Sequence, residues 1–530
     1  MKKLSIINYQ LSIIIALMAV SCSDTWDDHY DSQGSAADKT ILQLIQEDNS
    51  LSDFYNLLKS THLYNNNHRT PVTYADLLAS DQSLTVWAPK NGTFDADSLL
   101  KECATAQGDS VIGQHFVGNH IAHTLYQHGK LAELDYIKMH NSKYLYIDDI
   151  PAFLSTDVPA SNGLLNIIDS EVPYNYNIYE GFTSMSDAQH VGQWMKSYEK
   201  QELDEDASIQ RGLEDGRKVY SDSVMVKENI LYRTFGKINS EDSSYIALLP
   251  VKEVWEKVVD EAAPYFDFGN IEKADSIGTY WRNLLLMQDL FFNVNEQASP
   301  SDSLISTSYS KKTPEYNVYY NPNAAGGLLS DTYISGSRLC SNGMIYYLKQ
   351  WPFTKEQLYF KKIVVEAERE SSLMDNKDCT FNYRTAIGDS ISQNGYLDIV
   401  PKTSTSNWTA TFELANTLAG TYDICVVVLP KTVYNPFSRD FKPNKFTAVL
   451  NYVDAEGQSQ QQEFKTAVSN DPYVVDTVSI GRFTFPVCNY GQQDALVSLQ
   501  LKCNIANREV KFSREMLLDC IYLKPVKEEE

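Results

Sequence analysis

The stretch "HFVGNHIAHTLYQH" contains four histidines, His115, His120, His123 and His128. On a helix, His120 and His123 would share one face, and two imidazoles placed in this way can bind zinc. The sequence has no HExxH motif, and neither a cysteine nor a carboxylate stands at ligand spacing within this stretch. We therefore expect no metal site here.

Other catalytic patterns are also missing from the sequence. It contains no GxSxG nucleophile motif, no glycine-rich phosphate loop and no EF-hand pattern. The acidic run Glu202 to Asp206 is more typical of a solvated helix start than of a glycosidase carboxylate pair. A hydrolase would need two carboxylates facing each other across a groove, so we expect a protein that is not an enzyme.

Composition narrows the class of partner. The chain has 530 residues and a formal net charge of -24 at pH 7, which argues against nucleic acid because phosphate binding needs clustered Lys and Arg. A hydrophobic content of 43% indicates folded domains, and this length suggests about three of them.

The N-terminus resembles the signal peptide of a bacterial lipoprotein. Lys2 and Lys3 precede the apolar run "LSIIIALMAVSC", which is too short for a comfortable membrane span and ends at Cys22. The resemblance implies that residues 1–21 are removed and that Cys22 carries lipid such as palmitate. Ser23 rather than Asp at the next position is similar to lipoproteins sorted to the outer membrane, and residues 22–39 read as an acidic tether. The alternative is an ordinary secretory signal with an incidental cysteine.

The remaining cysteines show no metal-ligand spacing. Because several lie inside apolar runs, we expect buried, small hydrophobic side chains, with one disulfide left open. They are Cys103, Cys340, Cys379, Cys425, Cys488, Cys503 and Cys520.

Two sequence segments recur in the same order. "LTVWAPKNGTF" is echoed by "YIALLPVKEVW", with Pro89 matching Pro250, and "SNGLLNIID" from Ser161 is echoed by "SNGMIYYLK" from Ser341. The first segment is typical of a strand ended by proline, and the second of a turn feeding a strand. Between them, apolar residues from Val111 to Leu125 follow a helical spacing. Two copies of one domain explain the pattern.

These segments, with "NHIAH" between them, resemble the signature of a fasciclin domain. Residues 40–178 carry all three segments, with Asn119 where the family has Tyr, and residues 179–352 carry a divergent copy. The resemblance implies an α+β fold, a β-wedge with packed helices, that serves adhesion and extracellular binding. It also implies structural roles for five residues: Pro89, Phe94, His120, Asn162 and Gly163.

Residues 358–527 read as a series of short alternating strands, which predicts an all-β sandwich. "VVEAE", "AGTYDICVVV" and "DCIYLKP" resemble the galactose-binding-like jelly rolls of carbohydrate-binding modules. That resemblance implies a structural calcium near Glu366 or Glu368. The simpler interpretation, which we favour, makes both carboxylates solvated residues alternating with Val365 and Ala367.

A glycan-binding face needs aromatic platforms beside amide or acid hydrogen-bonding groups. In the predicted sandwich, Trp408 with Asn407, and Tyr434 with Asn435, are the candidates. Core packing of a lone tryptophan is the alternative.

Together these features predict an outer-membrane, lipid-anchored protein that faces the cell exterior and binds without catalysis. The expected partner is an extracellular polysaccharide, with the protein acting as an accessory of a glycan-import complex. The alternative is an adhesin or matrix protein whose fasciclin domains contact proteins or cells. Exposed aromatics clustered in residues 358–527 would favour the glycan, and a flat apolar patch on the fasciclin pair would favour protein.

Overall fold

The computed structural model describes residues 38–65, 68–214, 216–294, 302–309, 316–386, 390–492 and 496–527. The chain divides into two compact units. One comprises Met1–Asn175 with Gln201–Val226, and the other comprises Tyr176–Lys200 with Lys227–Glu530. Cys22 and almost all of the predicted tether lie outside the described residues. Within the described part, no helix combines the length and apolarity needed to cross a bilayer.

The first unit packs helices on a small mixed sheet with strand order β4-β3-β8-β7, beside the hairpins β1–β2 and β5–β6. The strands are β1 His62–Asn65, β2 His68–Thr73, β3 Leu84–Pro89, β4 Ile121–Ala122, β5 Tyr136–Lys138, β6 Tyr144–Tyr146, β7 Phe153–Ala160 and β8 Gly163–Ile168. The α-helices are Ile41–Glu47, Ser52–Ser60, Tyr74–Ala79, Ala96–Glu102, Ala106–His115 and His128–Leu131.

The predicted helical stripe from Val111 to Leu125 is only partly correct. The helix ends at His115, a 3-10 turn spans Val117–His120, and the chain then enters β4. Val111 itself is 38% exposed, so the stripe does not lie on one buried face. The run Glu202 to Asp206 also differs from the prediction, because it lies in strand β9 (Glu199–Glu214), which pairs with β10 (Arg217–Asn229).

The second unit begins with a similar arrangement, a six-stranded sheet of order β14-β13-β12-β11-β16-β15. Its strands are β11 Ser244–Pro250, β12 Phe291–Val294, β13 Ser303–Tyr309, β14 Tyr316–Tyr320, β15 Ile334–Cys340 and β16 Gly343–Leu348. The α-helices of this unit are Ile178–Ser184, Gln189–Lys196, Tyr232–Phe235, Lys252–Ala262, Ala274–Met287 and Lys355–Leu358.

The two sequence repeats occupy matching positions in these two sheets. β3 pairs in parallel with β8 from Leu84 opposite Gly163, and β11 pairs in parallel with β16 from Tyr245 opposite Gly343. Both glycines have positive φ, +146° and +148°, and a Cβ on either would lie 1.9 Å from the carbonyl oxygen of the strand opposite. Only glycine allows this close approach of two backbones.

The asparagine of each "SNG" segment is buried and ties three chain segments together. The Asn162 side-chain oxygen accepts from the Ile41 N–H at 2.9 Å, and its NH2 group donates to the carbonyls of Leu78 and Ser80. Asn342 makes the same set of bonds, accepting from Ile178 N–H and donating to the carbonyls of Ile238 and Ser240. The motif therefore fixes the helix start and the strand entry in each copy.

The C-terminal region is a β-sandwich, as predicted. One sheet has the order β19-β20-β27-β22-β25 with β17 paired to β27, and the other has the order β18-β21-β26-β23-β24. The strands are β17 Ile363–Glu366, β18 Leu373–Lys377, β19 Cys379–Thr385, β20 Gly395–Pro401, β21 Thr409–Glu413, β22 Gly420–Leu429, β23 Lys445–Val453, β24 Ser459–Ser469, β25 Asp476–Phe485, β26 Ser498–Cys503 and β27 Met516–Pro525.

The sandwich packs directly against the second repeat. The ring centroids of Tyr265 and Phe360 lie 4.8 Å apart, and those of Trp281 and Tyr490 lie 5.0 Å apart. One continuous cluster of buried apolar side chains runs through both parts. Residues 358–527 taken alone would therefore expose part of a core.

The seven described cysteines are all buried and free, which confirms their expected role as small apolar side chains.

Candidate functional site

The structural residues expected in the first repeat lie in its core. Pro89 ends the buried strand β3, and Phe94 packs on Phe116 with ring centroids 5.0 Å apart. His120 is fully buried, and Val172 N–H donates to its Nε2 at 2.9 Å while its Nδ1 donates to the Phe116 carbonyl at 2.7 Å. Burial lowers the pKa of His120 to about 4.

Both ring nitrogens of His120 are therefore occupied within the protein. His123 instead pairs with His140, with Nε2 and Nδ1 2.7 Å apart. The four histidines considered for zinc are thus not gathered on one helix face, because the helix stops at His115.

The two residues of the first candidate pair in the sandwich, Trp408 and Asn407, differ in burial. Trp408 is 1% exposed, and its indole N–H donates to the Arg514 carbonyl at 2.6 Å. Its ring is core, and no sugar can stack on it, which corrects the expectation of a platform there. Asn407 is exposed, but its side-chain oxygen accepts from Ile505 N–H at 3.4 Å.

The second candidate pair, Tyr434 and Asn435, lies on an exposed loop. Tyr434 is 45% exposed, and Phe437 beside it is 90% exposed. In the neighbouring loop Tyr473 is 65% exposed and stacks on Phe441 at 4.7 Å. We call Tyr434, Phe437, Phe441 and Tyr473 the aromatic rim.

The loops of the rim are held in place by polar contacts. The Lys431 ammonium pairs with the carboxylates of Asp440 and Glu515, both at 2.8 Å. Asn444 N–H donates to the Asn470 side chain at 2.7 Å, which joins the two loops. The rim is thus a positioned surface built on the ends of the strands.

A polar cluster lies beside Tyr434. The Arg384 guanidinium sits 5.9 Å from the Tyr434 ring centroid and pairs with Asp398 at 2.9 Å. Asn382 donates to the same Asp398 oxygen, Oδ2, at 3.3 Å. The other oxygen, Oδ1, is buried and meets no donor among the described residues. The cluster therefore presents the exposed amide of Asn382 and the exposed guanidinium of Arg384 next to an exposed ring, with Asp398 buried beneath them.

Carboxylates also meet at a second place in the sandwich. Because β17 pairs with β27, Glu366 lies opposite Cys520 and next to Asp519. Glu366 is 5% exposed, so the favoured interpretation of a solvated residue is wrong for it. One oxygen of Glu366 and one of Glu368 are buried without a hydrogen-bond donor among the described residues.

Burial and the charges of Glu366 and Glu368 raise the pKa of Asp519 to about 7. The Asp519 carboxylate accepts from Ser392 N–H, and Ser392 Oγ donates to Glu366 at 2.7 Å. Crowded carboxylate oxygens with unused lone pairs suit a hard cation such as Ca²⁺. Burial raises the pKa of the adjacent Cys520 thiol, which keeps this sulfur protonated and disfavours zinc.

Comparisons with known proteins assign no family to the chain. No protein-family model matches the chain, and no curated protein matches it. Among solved structures, the chain resembles carbohydrate-binding modules over about a third of its length, and 48 chains match in all.

Three of these structures illustrate the likeness. The CBM22-1 xylan-binding domain from Paenibacillus barcinonensis Xyn10C shares 11% identity, with 31% of this chain and 94% of that chain covered and a TM-score of 0.21. A family 35 carbohydrate binding module from Clostridium thermocellum shares 8% identity, with 31% and 99% covered and a TM-score of 0.19. The CBM22-1–GH10 modules of C. thermocellum xylanase 10B, complexed with xylohexaose, share 12% identity, with 32% and 29% covered and a TM-score of 0.22. At these scores the likeness assigns no ligand, so the geometry above has to carry the functional argument.

Proposed function

We propose that this protein binds polysaccharide without catalysis, through the aromatic rim and the polar cluster beside it. The observation that carries the proposal is the joint placement of exposed rings and the Asp398 cluster. The C–H faces of sugar rings pack on aromatic side chains, while their hydroxyls need acceptors and donors at the edge of the ring. Tyr434 offers the ring, and the exposed Arg384 and Asn382 offer donors and an amide acceptor on the same surface.

The setting we propose is the bacterial cell surface. The lipobox-like sequence ending at Cys22 supports a lipid anchor in the outer membrane, and the acidic tether would let the folded units face outward. A polysaccharide-binding protein held there would act as an accessory of a glycan-import complex. The fasciclin-like repeats would then serve as spacers and contact surfaces.

A structural cation accompanies this proposal. Glu366, Glu368 and Asp519 would hold Ca²⁺ through carboxylate oxygens, and the unpaired buried oxygens support this assignment. The cation would neutralise the cluster and fix the end of β17 on β27. Sugar binding at the aromatic rim does not require this cation.

The test uses the full mature chain with Cys22→Ser, because the sandwich shares its core with the second repeat. Affinity gel electrophoresis against plant, host and microbial polysaccharides, xylan and a β-1,3-galactan included, measures binding. We expect retardation by at least one glycan, with Tyr434→Ala and Phe437→Ala weakening it about tenfold, as for the loss of a stacked ring at a binding site.

Tyr136→Ala, which removes an equally exposed ring from the first unit, is the matched control and should leave retardation unchanged. No retardation by any glycan, or equal retardation of the Tyr434 and Tyr136 variants, would remove the basis for the proposal.

The second candidate function is adhesion to proteins or cells through the first repeat. The specific observation in its favour is the hairpin β5–β6, where Tyr136 is 51% exposed and packs edge-on against Tyr144 at 4.8 Å. Leu134 beside it is 40% exposed. Loss of cell or matrix attachment in Tyr136→Ala, with glycan binding absent in the parent protein, would favour this function.

A further inference from the structure

An open cleft of about 1050 Å³ lies in the second repeat, away from the sandwich strands. Its walls come from the helices Gln189–Lys196, Lys252–Ala262 and Ala274–Met287 and from the ends of β11 and β16. This volume lies at the upper end of the roughly 300–1,000 Å³ range of small-molecule sites. The cleft is large enough for several linked sugar rings.

Arg282 is a polar residue of the cleft that uses few of its hydrogen-bond donors within the protein. It is half-buried, and its Nε–H donates to the Asn283 side chain at 3.3 Å. Asp260 acts electrostatically on Arg282, but among the described residues no carboxylate oxygen forms an ion pair with it within 4.0 Å. A guanidinium has five N–H donors, so most of its donors remain available to a ligand.

The remaining polar groups supply acceptors as well as donors. His190 Nε2–H donates to the Pro250 carbonyl at 2.7 Å, which leaves Nδ1 as the second polar atom of the ring. Asp260 and Gln193 line the same cleft and are exposed. Each sugar hydroxyl both donates and accepts a hydrogen bond, so this mixture matches a hydroxyl-rich ligand.

Charge decides between a neutral and an anionic ligand. Three carboxylates line the cleft, those of Asp187, Glu256 and Asp260, against the cations Arg282 and Lys252. Lys252 already faces Glu256 at 3.7 Å. The cleft therefore holds more unpaired negative than positive charge, and it would repel an anionic ligand such as a uronate or phosphate. Neutral hydroxyl groups would not be repelled.

We propose that this cleft is a second glycan-binding site, which takes a neutral oligosaccharide segment with Arg282 as its principal hydrogen-bond donor. The inference rests on the proposed function for its ligand class but uses different residues in a different part of the fold. Two sites on one chain would raise the avidity for a long polysaccharide above that of either site.

The experiment measures binding and location together on the full mature chain with Cys22→Ser. The probes are xylohexaose and β-1,3-galactotriose as neutral oligosaccharides and trigalacturonate as an anionic one. Hydrogen-exchange mass spectrometry follows the peptides covering 249–262 and 279–286, and isothermal calorimetry gives the Kd. We expect a neutral probe to protect both peptides and trigalacturonate to protect neither.

Arg282→Gln should weaken this binding about tenfold or more, since a charged hydrogen bond is lost. Arg282→Lys, which keeps the charge and the packing of the stem, should give an intermediate loss. The control Arg508→Gln removes an exposed arginine of the sandwich and should change nothing.

The outcomes separate the two proposals. If a polysaccharide is retarded and Tyr434→Ala abolishes this while the cleft peptides stay unprotected, the cleft inference fails and the proposed function stands. Unchanged affinity in Arg282→Gln also overturns the inference. If the cleft peptides are protected and only the Arg282 variants lose binding, the inference stands and the aromatic rim loses its role. Absence of binding by every oligosaccharide probe overturns the cleft inference, and the proposed function falls with it only if the polysaccharide panel also shows no retardation.

Discussion

Replacing Asp519 by Asn should stabilise the sandwich at pH 8 in the absence of divalent cations. The carboxylate is 2% exposed and faces Glu366 and Glu368, which together with burial raise its pKa from 3.8 to about 7. An unfolded chain would ionise this group at its ordinary pKa, so the folded state carries the cost of ionisation above pH 7. Asn removes the charge yet can still accept from Ser392 N–H.

The magnitude follows from the shift in pKa. A difference of about three pH units corresponds to about 4 kcal/mol, and water that reaches the exposed Gln393 and Asn394 reduces this, so we expect about 2 kcal/mol. The sign is that of a raised carboxyl pKa: the folded state is favoured below pH 4, and this advantage is lost as the pH rises from about 4 to 7. The stability difference between variant and parent should therefore vanish below pH 4.

The assay is pulsed hydrogen exchange along a urea gradient with EDTA present, read on the peptide 516–525. This readout follows the sandwich alone, which matters because a chain of several domains does not unfold in one step. The control is Glu370→Gln, an exposed carboxylate on the neighbouring turn, which should change the midpoint little.

Adding calcium chloride should stabilise the parent and should do so less in Asp519→Asn, because a ligand that binds the folded state shifts the midpoint by mass action. If Asp519→Asn is destabilised at pH 8 in EDTA, or gains as much stability at pH 3.5 as at pH 8, the carboxylates do not repel one another as argued.

Three further predictions concern the scaffold. His120 is neutral and buried, with a pKa lowered to about 4, so the free energy of unfolding should fall by roughly 3 kcal/mol as the pH drops from about 6.5 to 4. In urea titrations, His120→Gln should flatten this pH dependence. The control His128→Gln, at an exposed position, should not. Gly163→Ala would place a Cβ 1.9 Å from the Leu84 carbonyl, so a loss of about 3 kcal/mol or of soluble protein should follow, whereas Gly129→Ala meets open space and should fold normally by circular dichroism. The seven buried cysteines should react with a thiol reagent only after denaturation, and fast labelling of any of them in the native Cys22→Ser protein would contradict the packing described above.

Local patterns made several elements predictable. The strand that ends at Pro89 and the "SNG" turns are set by residues next to each other, so a single sequence reveals them. Their recurrence led to the two repeats, and the parallel registers Leu84 to Gly163 and Tyr245 to Gly343 show matching geometry in both. The alternating strands of residues 358–527 likewise predicted the sandwich.

Local patterns also misled, as two examples show. The apolar spacing from Val111 to Leu125 continues past the point where the chain leaves the helix, because the turn at Val117–His120 delivers Ile121 into a sheet. The sequence predicted that Trp408 and Asn407 form a platform for a sugar ring. Packing between the sheets instead buries the Trp408 ring, while Asn407 stays exposed. The side of a strand that faces a second sheet depends on residues far away in sequence.

By itself, the sequence determined the acidic character, the lipobox-like start, the repeated segments and the alternation of strands, because these depend on composition or on neighbours within about ten residues. Tertiary structure alone decided which groups meet. Asp519 reaches Glu366 through the pairing of β27 with β17, and Arg282 and His190 line one cleft walled by three separate helices. Such sites depend on long-range pairing and burial, which set the pKa of Asp519 and leave most donors of Arg282 unused.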